Sequence, residues 1–280
     1  MAKKSGAVPN VMKYGNNEVV ISDDNWMQFV NPVVDGETKV CGTFPRYVPK
    51  GAMRCAAKPF DLPLIPENEW QDRLDEQLRQ KAQLSDLRDI SGPGGKPIPS
   101  TDQNGRGYCW CHSGTSATLI VRALMGQPFV SLSAYMVGCL IKNYRDEGGW
   151  GTEGLEFIAE NGIPDEKYWP QRSASRSNDN PAMRANAKLH RVQEWMDVPG
   201  RSLPHLVTLL LSNIPVVSDF NWWGHSVCTI DLLAIKPKLK TRIWNSWGDS
   251  WSANGVGVLE GSKAMPDDMI APRVVLASKD

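Results

Sequence analysis

The chain has 280 residues and carries 31 basic and 31 acidic side chains, so its formal net charge is zero. This balance gives no electrostatic basis for binding nucleic acid or an anionic membrane surface. The sequence holds no apolar run as long as a membrane-spanning helix, and its basic N-terminus lacks the apolar core of a secretion signal. The composition is typical of a globular protein, either one two-lobed domain or one domain with an extension.

Residues 1–84 are predicted to form an N-terminal extension. Glu18–Ser22 has the pattern of a strand, whereas residues 31–66 favour an extended arm without a core of its own, because they contain six prolines: Pro32, Pro45, Pro49, Pro59, Pro63 and Pro66. A helix is predicted from Pro66 to Leu84, since three apolar residues recur at four-residue spacing: Trp70, Leu74 and Leu78.

A glutamine and a cysteine six residues apart carry the strongest chemical signal. Gln103–Trp110 is rich in small residues, and Cys109–Met125 is predicted to be a helix. The helix dipole favours a low pKa for a thiol at the N-terminus, where Cys109 stands. The Gln103 amide is placed to donate to the oxyanion that forms when this thiol attacks a carbonyl.

The thiol needs a base, and the sequence has four histidines: His112, His190, His205 and His225. His112 lies on the cysteine's own helix and points back over its turn. His190 falls in residues 185–195, which are predicted to be helical, and His205 opens a helix after Pro204. His225 begins an alternating strand after a tight aromatic turn and is therefore the candidate base, with a structural histidine as the alternative.

A third group follows at the end of the next predicted strand. The side-chain carbonyl of Asn245 is suited to accept the second ring proton of a histidine and to fix its tautomer. The indoles of Trp247 and Trp251 would shield that hydrogen bond from water. The three groups together have the logic of nucleophile, base and orienting residue.

In this order the motifs resemble those of the papain-like cysteine peptidases. The resemblance spans about residues 85 to 262 and rests on four segments: Gln103–Trp110, Gly148-Gly149-Trp150 with the helix after it, Gly224-His225-Ser226, and Asn245–Trp251. It implies an α+β fold for residues 85–280, with a helical lobe that carries Cys109 and a β-barrel-like lobe that carries His225 and Asn245.

The resemblance also implies the roles of the site residues. Cys109, His225 and Asn245 would form a triad, with the Gln103 side chain and the Cys109 backbone N–H as oxyanion donors. Gly148 and Gly149 would bind the main chain of an extended peptide, and Trp247 would line the leaving-group side. The candidates for a specificity pocket rest on position alone: Ala134, Trp150 and Val217.

The chain departs from the family at its disulfides and beside the nucleophile. Arg106 and Asp146-Glu147 stand where the family has cysteines, and Cys139 has no obvious partner. Residues 216–220 lead almost directly to His225, without the family's long excursion, so we expect a more open cleft. Tyr108 replaces a small residue and is expected to narrow the cleft.

The cysteines indicate the compartment. If Cys109 is catalytic, five of the six remain, which favours free thiols in the cytoplasm or inside a viral or phage particle, although a Cys41–Cys55 pair stays open. A metal site at Cys109, Cys111 and His112 is disfavoured, because cysteines two apart on a helix face different ways. We predict no metal and no cofactor, and interpret Cys111 as a small core residue.

The function predicted from the sequence is a thiol endopeptidase that acts on polypeptides. The extension stands where family enzymes have an inhibitory pro-segment, and Glu69 and Arg73 echo one element of that segment. A structural arm that wraps the enzyme or docks on a partner protein is favoured instead. The alternatives are a non-enzymatic assembly protein, such as a virion component that reuses the fold, and an isopeptidase or transamidase.

Overall fold

The computed structural model describes residues 13–15, 17–46 and 57–276. Its helices within these ranges are α1 Trp70–Gln80, α2 Leu84–Arg88, α3 Cys109–Leu124, α4 Ala134–Ile141, α5 Gly151–Asn161, α6 Pro181–Ala187 and α7 Leu203–Leu211. Its strands are β1 Lys13–Tyr14, β2 Glu18–Ile21, β3 Val33–Val34, β4 Glu37–Thr38, β5 Lys58–Pro59, β6 Val192–Val198, β7 Val216–Phe220, β8 His225–Ala234, β9 Lys240–Trp244, β10 Val256–Glu260 and β11 Asp268–Val275.

Nine strands form one sheet in the order β1-β2-β10-β9-β8-β7-β11-β6-β5. Neighbouring residues along its strands face opposite sides, as the period of a strand requires. Val217 and Ile270 pack toward the helical lobe, whereas Val216 and Met269 pack toward α7 and α1. Because helices cover both faces, all but the last residue of β8 are buried.

The helical lobe is built around α3, with α4 and α5 packed against it. Helix α3 is buried through its first fourteen residues, and its internal hydroxyls return hydrogen bonds to the preceding turn, as Thr115 Oγ1 does to the Cys111 carbonyl at 2.9 Å. The helix predicted from Cys109 is thus confirmed to within one residue of its end. The α+β fold of two lobes is confirmed as well.

The extension reaches both edges of the sheet. β2 pairs in parallel with β10, with Val19 opposite Gly257, and β5 pairs in parallel with β6, with Lys58 opposite Met196. An exposed sheet edge offers unpaired N–H and C=O groups, and these strands cover them. The predicted strand at Glu18–Ser22 is therefore confirmed as β2, whereas the domain boundary at residue 84 stays a prediction.

Two predicted helices are wrong in extent. The helix predicted from Pro66 to Leu84 ends at Gln80, because Lys81 adopts a left-handed φ of 50° and α2 begins separately at Leu84. Residues 185–195 are helical only in their first half, and Val192–Val198 is a strand. Its pairing with β11 outweighs the local preference. In the described ranges no helix is long and apolar enough to cross a membrane.

Candidate active site

Cys109 is the first residue of α3 and its side chain is fully buried. The Oγ1 atom of Thr43 lies 3.3 Å from its Sγ atom, and backbone N–H groups of Ser226 and Gly42 also reach the sulfur. Burial raises the pKa of the Cys109 thiol above its ordinary value, although these donors act against the rise. The low pKa expected at a helix N-terminus is therefore not realised while the cleft is filled.

His225 begins β8 and is joined to Asn245, the residue after β9. Its Nε2 atom lies 2.8 Å from Asn245 Oδ1, which also accepts the Ser246 N–H at 2.8 Å. An atom that accepts from a backbone N–H is an oxygen, so His225 Nε2 carries the proton and Nδ1 has a free lone pair. Nδ1 has no hydrogen-bond partner among the described residues. Burial lowers the pKa of His225 to about 4.

Two indoles enclose this histidine. The Trp247 ring stacks on the imidazole at 4.9 Å between centroids and 30° between planes, and Trp223 meets it edge-on at 4.7 Å. Trp247 is fully buried. The shielding expected of the Trp247 indole therefore has a geometric basis, whereas its place on the leaving-group side stays a prediction.

Gln103 is held by the segment that carries Asn245. Its Oε1 atom accepts from the Ser246 hydroxyl at 2.7 Å, which turns the amide nitrogen away from Ser246. That nitrogen donates to the Val40 carbonyl at 2.6 Å and to the Arg106 carbonyl at 2.7 Å. The donor assigned to an oxyanion is thus occupied by a main-chain carbonyl of the extension.

The Gly-Gly turn binds the same part of the extension. The Gly149 N–H donates to the Gly42 carbonyl at 2.9 Å, and the Gly149 carbonyl accepts from the Phe44 N–H at 3.1 Å. Thr43 pairs in parallel with Gly149 and donates its own N–H to the Gly224 carbonyl at 2.8 Å. A side chain on Gly148 would meet the Phe44 ring at 2.6 Å, so the close approach requires glycine there.

Residues 40–44, named here the cleft segment, therefore contact Cys109, Gln103, the Gly148-Gly149 turn and Gly224, the residue before His225. Ion pairs anchor the segment on both sides. Lys39, which is 1% exposed, binds Asp102 at 3.0 Å, and Arg46 binds Asp197 at 2.6 Å and Asp268 at 2.5 Å. The expectation of an open cleft is wrong, because the extension fills it.

Tyr108 does not narrow the cleft, contrary to expectation. It is fully buried, its ring lies against Gly138, and its hydroxyl donates to the Arg145 carbonyl at 2.6 Å. The Gly107 N–H donates to Asp146 Oδ1 at 2.9 Å. These contacts connect residues 107–108 with residues 145–146. In the family pattern a disulfide connects the same two parts of the chain.

The other histidines have structural partners. His112 is buried with Nδ1 at 2.7 Å from the Thr101 hydroxyl, and burial lowers its pKa to about 3. His190 Nδ1 lies 2.9 Å from the Ile163 carbonyl, and His205 Nδ1 lies 2.7 Å from the Ser202 hydroxyl. Of the four, His225 alone stands beside a residue that reaches the Cys109 sulfur.

The five described cysteines are free thiols: Cys41, Cys109, Cys111, Cys139 and Cys228. Cys55 lies outside the described residues, so the Cys41–Cys55 pair is not tested. Cys111 is fully buried in the core of the helical lobe. No group of histidine, cysteine, aspartate and glutamate side chains that could hold a metal ion is present in the part of the chain that the structure describes.

The specificity candidates lie in different surroundings. Ala134 is buried inside the helical lobe, whereas Trp150 Nε1 donates to the Pro45 carbonyl at 3.4 Å and Val217 packs beside Gly151. The sequence did not point to three aspartates near Val217, namely Asp197, Asp219 and Asp268. They are far apart in the chain, and only the strand register brings them together.

A cysteine at a helix N-terminus and a histidine–asparagine pair on neighbouring strands match the arrangement expected from the resemblance to papain-like cysteine peptidases. The comparisons with known proteins agree, and they identify the chain as a diverged relative of these peptidases with free thiols at its described cysteines. Zingipain-1 from Zingiber officinale is 24% identical over 183 residues, which cover 58% of this chain and 81% of that protein. Mexicain from Jacaratia mexicana is 24% identical over 186 residues, covering 58% and 82%.

The solved structures show the same fold. Xylellain, a cysteine protease from Xylella fastidiosa, superposes with a TM-score of 0.59 at 16% identity, covering 88% of this chain and 99% of that one. Digestive procathepsin L 3 from the larval midgut of Tenebrio molitor gives a TM-score of 0.53 at 15% identity, covering 73% and 90%. No protein-family model matches the chain.

Proposed function

We propose that this protein is a cysteine-type endopeptidase that hydrolyses peptide bonds with a Cys109–His225–Asn245 triad. The observation that carries the proposal is the state of the His225 ring. Its Nε2 proton is fixed by Asn245 and its Nδ1 lone pair is unpartnered among the described residues, beside the segment that touches Cys109. The similarity to papain-like peptidases supports the same reaction class.

The reaction follows from these positions once the cleft is free. His225 Nδ1 accepts the Cys109 proton, and the thiolate attacks the carbonyl carbon of the substrate. The Gln103 amide and the Cys109 backbone N–H stabilise the resulting oxyanion. His225 then protonates the leaving amine, and water releases the acyl group from the sulfur. Gly149, with Gly148 beside it, pairs with the substrate main chain, as Gly149 does with the cleft segment.

The described form is latent in this proposal. The cleft segment presents a hydroxyl and an N–H group to the Cys109 sulfur, and it occupies the Gln103 amide and both hydrogen-bonding groups of Gly149. Access of a substrate therefore requires the segment to leave. An inhibitory role of the extension is supported over the purely structural arm that the sequence favoured.

A single substitution opens the cleft without touching a catalytic group. A Cβ atom at Gly42 would collide with the Gly107 carbonyl, which belongs to the backbone and cannot move aside cheaply. We expect Gly42→Ala to displace the cleft segment and to raise kcat/KM on a mixed peptide library strongly over that of the unaltered chain. Val33→Ala, at an exposed position of the extension, is the matched control and leaves the activity unchanged.

The catalytic assignment is tested in the opened chain. Adding Cys109→Ala to Gly42→Ala abolishes cleavage, as read by mass spectrometry of the digested library. Full activity in the double variant would refute the thiol mechanism. A non-enzymatic assembly protein predicts instead that the opened chain cleaves nothing. An isopeptidase or transamidase predicts new branched or transferred products in the same spectra, and both alternatives stay open until then.

A further inference from the structure

Three aspartates from neighbouring strands surround the guanidinium group of Arg46. Asp268 on β11 lies directly opposite Asp219 on β7, and Asp197 on β6 lies opposite Ile270, two residues further along β11. Residues two apart in a strand face the same side. All three carboxyl groups are therefore on one face of the sheet, the face toward the helical lobe.

One guanidinium group pairs with two of the three carboxyl groups. Arg46 contacts Asp197 at 2.6 Å and Asp268 at 2.5 Å, and these three side chains are 8–11% exposed. Asp219 is also buried, and its Oδ1 atom and the Oδ2 atom of Asp268 have no hydrogen-bond partner among the described residues. Unpartnered buried carboxylate oxygens are costly, so the pocket has unused capacity to accept hydrogen bonds.

This pocket adjoins the substrate-binding part of the cleft. Asp219 Oδ2 accepts the Gly151 N–H at 2.9 Å, two residues after the Gly149 that pairs with the cleft segment. Val217 and Ile270 also lie beside Gly151. The negative charge of Asp219 contributes to the raised pKa of the Cys109 thiol. The burial of Asp219, next to Asp268, raises its pKa to about 7. Two carboxyl groups held this close repel each other when both are ionised, so a cation between them is favoured.

We propose that Asp197, Asp219 and Asp268 form a specificity pocket for a cationic side chain of the substrate, arginine or lysine. Arg46 fills this pocket in the latent form. The inference rests on the proposed peptidase function and adds its substrate class. A cationic side chain gains charge-assisted hydrogen bonds there, whereas an apolar side chain of similar length leaves the carboxyl groups unpaired.

The preference is measured in the full chain that carries Gly42→Ala and Arg46→Ala, so that cleft and pocket are both vacated. Internally quenched peptides are varied at the three positions before the cleaved bond, each with arginine, lysine, norleucine or glutamate. We expect kcat/KM for arginine at one of these positions to exceed that for norleucine by about 10-fold or more. Adding Asp197→Asn and Asp268→Asn brings the ratio close to one. If kcat/KM were equal for arginine and norleucine at all three positions before the two aspartates are replaced, the proposed pocket would be refuted.

A binding measurement separates this inference from the peptidase function. Labelled peptides with the sequence of residues 40–46, ending in arginine or in norleucine, are titrated into the full chain that carries Gly42→Ala, Arg46→Ala and Cys109→Ala. The arginine peptide binds about 10-fold or more tightly, and Asp197→Asn with Asp268→Asn removes the difference. Equal affinities would refute the pocket even in an active peptidase. A clear difference in a chain that cleaves nothing would refute only the peptidase.

Discussion

At the scale of the residue, the two groups proposed to be catalytic are present in unreactive forms. Burial raises the pKa of Cys109 and lowers the pKa of His225 to about 4, so the neutral thiol and the neutral imidazole are both favoured. A nucleophilic thiolate with a protonated histidine needs the opposite shifts. We expect those shifts once water or a polar substrate replaces the cleft segment, because the burial that disfavours both charged forms is then relieved.

Gln103 provides a residue-scale prediction. In the opened Gly42→Ala chain, Gln103→Ala removes one of two oxyanion donors and lowers kcat by roughly 10²–10³, with little change in KM. Steady-state kinetics normalised by titration of the active thiol measures the loss. Gln71→Ala, on the exposed side of α1, is the matched control and leaves kcat unchanged. A loss of less than about 3-fold would contradict the role of Gln103 as a donor that acts in the transition state.

The sequence pointed to the proposed catalytic residues because their motifs are short and local. Cys109 at a helix start, His225 at a strand start and Asn245 at a strand end each follow from a few neighbouring residues. Asp197, Asp219 and Asp268 have no such local signal. They form one pocket because β7, β11 and β6 pair in a particular register, and register is a property of the folded sheet.

At the scale of the element, the extension substitutes for a missing loop. Strands β7 and β8 are joined by the tight turn of residues 221–224, and the extension packs on it. Trp223 Nε1 donates to the Phe29 carbonyl at 2.6 Å, and the Trp26 ring meets the Trp222 ring edge-on at 5.8 Å. A short loop was a correct prediction, but the open cleft inferred from it was wrong, since long-range packing of a separate segment has no local pattern.

The position of the cleft segment is tested by a covalent lock. Because Thr43 Oγ1 lies 3.3 Å from Cys109 Sγ, Thr43→Cys places a second thiol beside the nucleophile. We expect mild oxidation to join the two thiols and dithiothreitol to separate them again. Mass spectrometry of the linked peptides identifies the bond.

The control for this lock is Thr38→Cys, at an exposed position of β4 in the same extension. We expect it not to link to Cys109 under the same oxidation, since a disulfide requires the two Cα atoms within about 7 Å. Failure of Thr43→Cys to link to Cys109, with both thiols free and reactive, would show that the segment does not lie in the cleft in solution.

At the scale of the whole molecule, the extension contacts the sheet at both edges and the cleft between the lobes. β2 and β5 pair with opposite ends of the sheet, whereas the cleft segment is held by main-chain bonds and by ion pairs on either side. Release of the segment would break these bonds and ion pairs but would leave β2 and β5 paired with the sheet, so the segment would stay tethered near the cleft. Release and return of the cleft segment would then be intramolecular. The equilibrium between the closed and open forms would depend on the ion pairs of Lys39 and Arg46.

That balance predicts a dependence on pH. The pKa of His225 is about 4 in the closed form and near its ordinary value of 6.5 when the ring is exposed. Between these values the open form binds the extra proton, so the closed form loses stability as the pH falls from 6.5 to 4, by at most about 3 kcal/mol. Burial raises the pKa of Asp268, and protonation of this carboxyl group weakens its ion pair with Arg46, which acts in the same direction.

Hydrogen exchange of three amides measures this opening: Thr43, Phe44 and Gly149, which are bonded only across the contact between segment and cleft. Their protection, corrected for the intrinsic exchange rate, is expected to decrease as the pH is lowered through this window, while amides in the middle of β8 keep theirs. His225→Ala removes the titrating ring and flattens the dependence. Protection that rises toward acid, or a slope unchanged by His225→Ala, would mean that the buried histidine does not control the release of the segment.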